Sequence, residues 1–109
     1  MEKITYDKLI RDKIPEIIQK DGKESATHIA EDEEYVQKLK EKLEEEVDEL
    51  LSSDESHEIE EIADILEVLY AICNAKGISK DQIEEIRTQK AKERGGFEKR
   101  IILEETRSK

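Results

Sequence analysis

Ile59, Ile62, Ala63, Ile65, Leu66, Leu69, Tyr70, Ile72 and Cys73 recur with helical spacing, and together they make an apolar arc too broad for a helix that rests on a surface. Such a helix has to be covered on two sides, a demand that constrains the fold more than any other stretch of the chain. One cover lies immediately upstream. Val36, Leu39, Leu43, Val47 and Leu50 recur at threes and fours, which predicts an amphipathic helix from Asp32, taken as its N-cap, to about Leu51. Ser52-Ser53-Asp54 ends it. The broad helix is predicted from about Ser56 to Ala75, with Gly77 as its C′ residue. Ser79 and Gln82 have the capping-box form for a third helix, Lys80 to about Glu93, stopped by Gly95-Gly96.

The short Ser/Asp turn makes the first two long helices an antiparallel hairpin. The class is therefore mainly α, a single domain over residues 1–109 built on the hairpin 32–51 and 56–75. Asp12 ahead of Ile14-Pro15-Glu16-Ile17-Ile18 predicts a short N-terminal helix with Pro15 in its first turn, ended by Asp21-Gly22. Ala26 to Ala30 and Arg100 to Glu104 are candidates for a small β-ribbon, with plain loop as the alternative.

Charge narrows the function. Thirty acidic residues stand against 19 basic ones, a net charge of −11, which opposes a nucleic-acid backbone and an anionic membrane alike. The N-terminus has no charged-then-apolar leader and no apolar run approaches the ~18 residues of a membrane span, so a cytoplasmic protein is expected. Cys73 is the only cysteine, which removes an internal disulfide and a thiolate zinc cluster, and its apolar neighbours predict a buried structural thiol. A third helix with only Ile78, Ile83, Ile86 and Ala91 is a thin lid over the broad apolar arc. Self-association into a homo-oligomer is expected to supply the rest.

Within the hairpin the acids fall into a pattern: Glu45-Glu46-x-x-Glu49, an 11-residue gap, then Glu61-x-x-Asp64. An x-x spacing puts two carboxylates about one turn apart on one helix edge. At ~100° per residue, Glu46 falls about 60° from the centre of its helix's apolar stripe, whereas Glu41 and Glu45 lie on the solvent side. Glu61 borders the apolar arc of the second helix, and Asp64 shares a face with Val68 and Ala71. Half-buried carboxylates call for a partner or a metal. Any Glu-rich helix yields chance pairs of this form, but two pairs on core-facing edges at hairpin-compatible spacing point to a hard-cation site.

An anionic ligand at that site needs local cations. Lys8, Arg11 and Lys13 lie in the N-terminal segment, and Lys90, Lys92 and Arg94 gather at the end of the third helix. Arg94 is the preferred phosphate contact, because a planar guanidinium grips phosphate through two donors; complementing the helix dipole is the plain alternative for these end charges. Tyr6, Tyr35, Tyr70 and Phe97 are the aromatic rings able to stack a base, with core packing the plainer role of Tyr70. His28 and His57 are read as structural.

The run Lys42-Leu43-x-Glu45-Glu46-Val47-x-Glu49-Leu50, followed by Glu60-Glu61-Ile62-Ala63-Asp64-Ile65-Leu66, resembles the EExxE…ExxD signature of the all-α NTP pyrophosphatase superfamily, which includes MazG, dimeric dUTPases and phosphoribosyl-ATP pyrophosphohydrolase. Residues 6–15, Tyr-Asp-Lys-Leu-Ile-Arg-Asp-Lys-Ile-Pro, and Arg94-Gly95-Gly96-Phe97 resemble its small phosphoribosyl-ATP pyrophosphohydrolase-like branch of house-cleaning enzymes for non-standard nucleotides. The resemblance implies cleavage of a nucleoside triphosphate between its α and β phosphates, giving the monophosphate and pyrophosphate. It implies Mg²⁺, with Mn²⁺ as an alternative, held by Glu46, Glu49, Glu61 and Asp64. Glu45 then holds a second ion or orients the water, a role its solvent-side angle does not suggest. Phosphoribosyl-ATP hydrolysis is the rival activity, and a non-catalytic acidic helical module is the rival class.

Overall fold

The computed structural model describes residues 3–109, which divide between Gly77 and Ile78 into two compact units. The first unit contains α1 (Ile14–Lys20), α2 (Asp32–Ser52) and α3 (Glu58–Ala75); the second contains α4 (Lys80–Arg94) and the C-terminal segment. The fold is mainly α, as the periodicity predicts.

Helices α2 and α3 pack on each other, and with only residues 53–57 between them they run antiparallel. Their shared register is read from what they bury. Leu39 on α2 and Val68 on α3 are the buried apolar residues, 2% and 8% exposed, among those described. Leu39 lies seven residues before Glu46, and Val68 seven after Glu61. Two helical turns below the Leu39/Val68 level, the acids of the two helices therefore meet.

The helix ends follow local chemistry and correct the sequence at two of them. α2 is capped by Glu31, not Asp32: Glu31 has extended backbone and its carbonyl accepts the N–H of Tyr35 at 2.8 Å. The N-cap makes no side-chain hydrogen bond, and Asp32, Glu33 and Glu34 instead occupy the first turn, where the helix dipole favours negative charge. α3 begins at Glu58, two residues later than expected, because Asp54 gathers the preceding turn. Its Oδ1 accepts from Ser56 Oγ at 2.7 Å and lies 2.8 Å from His57 Nδ1, while its carbonyl accepts the His57 N–H. The hydroxyl of Ser56 and the ring of His57 hold the Asp54 carboxyl below its usual range.

Other ends are as read. Pro15 sits at the start of α1, Gly77 follows α3 with φ +76°, and the Ser79/Gln82 capping box of α4 is complete in both directions, at 3.1 and 2.8 Å. Neither ribbon candidate, residues 26–30 or 100–104, is a strand. A five-residue run has little to bury against a single partner, and a lone two-stranded ribbon is marginal in water.

The apolar arc of α3 is only half covered. Ile59, Ile62, Leu66 and Leu69 are exposed, Ile59 by 80%, and Cys73 is half-buried where a buried thiol is expected. One helix, α2, shields one side of α3 and leaves the flank of the arc open.

Candidate metal and phosphate site

Glu46 is the one charged residue buried among those described, 6% exposed, on a helix whose other turns carry charge outward. The α2 stripe fixes its position, seven residues on from Leu39, and facing α3 brings Glu61 and Asp64 to it. One oxygen from each of Glu46, Glu61 and Asp64 lies within 4.8 Å of the other two. Oε2 of Glu46 and Oε2 of Glu61 are buried and have no hydrogen-bond partner. Burial, and then the like charge of Glu49, raises the Glu46 carboxyl above its ordinary value of 4.5; Lys42 opposes the shift without cancelling it.

Two orphaned oxygens in a convergent, oxygen-only donor set fit a hard divalent cation, which would replace the water those oxygens have lost. The residues present therefore fit the metal expected for the resemblance. The four predicted ligands are not equivalent, however. Glu49 is exposed and stands outside the three-carboxylate group, near enough to press on Glu46.

The solvent side assigned to Glu45 is covered in the structure by the segment ahead of α1. Lys8 Nζ lies 3.7 Å from Glu45 and 5.4 Å over the ring of Tyr6. Arg11 Nη2 donates to Asp64 Oδ1 at 2.7 Å. Lys38 Nζ donates to the carbonyl of Asp7 at 2.7 Å, and Asp7 has φ +47°, a conformation few non-glycine residues adopt. Tyr6, Lys8, Lys38, Lys42 and Glu45 help line a cavity of about 320 Å³ beside the acids.

Lys13 is exposed at the N-cap of α1. Lys90, Lys92 and Arg94 are exposed on the last turns of α4, in the second unit, where Lys92 and Arg94 complement the helix dipole. Phe97 and Tyr6 are exposed; Tyr35 and Tyr70 are half-buried. His57 binds its own turn, and His28 Nε2 lies 2.9 Å from Glu34.

Two lysines were missed by sequence reasoning. Lys42 bridges Glu46 and Glu45 at 3.4 and 3.8 Å, and its spacing of four and three residues ahead of them was the available signal. Lys38 pairs with Glu41 three residues on at 3.7 Å, but no spacing announces its contact with the Asp7 carbonyl, 31 residues away.

The architecture is thus mainly α, an antiparallel helical hairpin on whose core-facing edge three carboxylates converge. The pattern of the phosphoribosyl-ATP pyrophosphohydrolase family matches residues 6–91, and the chain belongs to that family. Membership places it among pyrophosphohydrolases, which cleave acid anhydrides. No curated protein and no solved structure matches it. None of the helices among the described residues is long and apolar enough to cross a membrane.

Proposed function

We propose that this chain is a Mg²⁺-dependent pyrophosphohydrolase that cleaves a nucleoside triphosphate between its α and β phosphates, releasing the monophosphate and pyrophosphate. The observation that carries the reading is the pair of buried, unpartnered oxygens on Glu46 and Glu61 in one group with Asp64. In this reading Glu46, Glu61 and Asp64 hold the ion, with Glu49 joining them. Bound there, a divalent ion would lower the pKa of an attacking water and offset charge that develops on the phosphate oxygens. Glu45, tied by Lys8 and Lys42 on the edge of the group, holds a second ion or orients that water. Lys8, Arg11 and Lys13 bring positive charge to the phosphates. Mn²⁺ fits the same donors.

Phosphoribosyl-ATP is a second substrate reading, favoured by the family match, since the same cradle serves the same bond. The family match runs through the boundary at Gly77, which supports treating the chain as one domain. Against a non-catalytic acidic module stands Glu46, because an interaction helix gains nothing from burying an acid.

A panel of standard and modified triphosphates plus phosphoribosyl-ATP, with Mg²⁺ and detection of pyrophosphate, tests the activity and separates the two substrates. Glu61→Gln should lose turnover at every substrate concentration. Retained turnover in that variant, or no pyrophosphate from any substrate, would reject the catalytic reading.

A further inference from the structure

Arg11 stands where a metal ion would compete with it. Its guanidinium touches Asp64, one of the three converging carboxylates, through a single donor at 2.7 Å, and the rest of its fork makes no other hydrogen bond among the described residues. A side chain suited to gripping an anion through two donors is here engaged through one. Both partners are open to solvent, 57% and 39% exposed, so the pair is weak enough to exchange. The backbone that carries it is held by separate contacts, Lys38 on the Asp7 carbonyl and Lys8 on Glu45, which leaves the Arg11 side chain free to turn without loss of the segment.

We propose that Arg11 is the chain's own stand-in for the divalent cation: without metal it neutralises Asp64, and on metal binding it leaves that carboxylate and turns its donors to the substrate phosphate. The inference rests on the metal reading above. The two cations share one carboxylate, so each weakens the other's hold on it; a phosphate that draws Arg11 away strengthens metal binding, and the metal strengthens phosphate binding by the same factor.

The experiment is calorimetric titration of Mg²⁺ into the metal-free full-length chain, comparing wild type, Arg11→Gln, Lys23→Gln and Asp64→Asn, with folding checked by circular dichroism. Lys23→Gln controls for the loss of one positive charge. Arg11→Gln should bind Mg²⁺ about threefold or more tightly than wild type, with Lys23→Gln changing affinity by less than about twofold. In wild type the Arg11 side-chain Nε–H resonance should shift on Mg²⁺ addition. With Mg²⁺ saturating, inorganic pyrophosphate should bind Arg11→Gln several-fold more weakly than wild type. Equal or weaker Mg²⁺ binding in Arg11→Gln, an Arg11 resonance indifferent to Mg²⁺, or unchanged pyrophosphate affinity would overturn the exchange. Wild-type Mg²⁺ affinity in Asp64→Asn would instead overturn the metal reading itself.

Discussion

Burial of Glu46 costs the folded chain stability once the carboxyl is ionised. Its folded-state pKa is raised above 4.5, by burial first and by Glu49 second, so folding favours its protonated form. The stability linked to this group is fully present below the unfolded-state pKa and is lost as pH rises through the higher folded value. Glu46→Gln, which carries no charge to desolvate, should therefore equal or exceed wild type in metal-free stability at pH 7. The difference should shrink as pH falls toward 4.5, a trend read by urea denaturation across that range. Mg²⁺ is expected to raise the thermal stability of wild type and EDTA to reverse the rise, and the same variant should lose the effect. Wild type more stable than Glu46→Gln at neutral pH without metal would show that Lys42 compensates the buried charge fully. The inward angle of Glu46 and the half-burial of Asp64 were legible because one helix stripe fixes them. The engagement of Glu45 was not, since its partner Lys8 comes from a segment with no helical period to read.

At the scale of elements, the caps show where local sequence suffices. Ser79 and Gln82 satisfy each other's backbone across three residues, and no distant residue takes part, which is why the box could be recognised in the sequence. Ser79→Ala should weaken α4 by about 1 kcal/mol. Amide exchange in residues 80–83 reads this directly, and unchanged protection there would mean the box adds nothing to α4. The start of α3 depended on a competition the apolar period does not register. Asp54, Ser56 and His57 hydrogen-bond one another in a turn, and residues of this kind prefer such local pairing to the first helical turn.

For the molecule as a whole, the open question is what covers α3. Ile59, Ile62, Leu66 and Leu69 are exposed on one helix, a contiguous apolar surface that chains of this size rarely leave to water. A homo-oligomer, at least a dimer, is expected, with a second copy supplying the cover. Light scattering at micromolar concentration should give a mass of two chains or more. Leu66→Glu should shift it toward one chain, whereas a monomeric wild type would reject the expectation.

The sequence by itself determined the helices, most of their ends and the inward edge on which the acids lie, because each depends on residues within a turn or two of one another. It also carried the family signature, since the acidic pattern is written as spacing along two neighbouring helices. Only the tertiary structure decided that Glu46, Glu61 and Asp64 form one group with Glu49 beside Glu46, and that Arg11 and Lys8 from the N-terminal segment reach Asp64 and Glu45. Those contacts join residues 37 and 53 positions apart, and no periodicity links a loop to the helix it lies against: the pairing is set by where the chain returns in space.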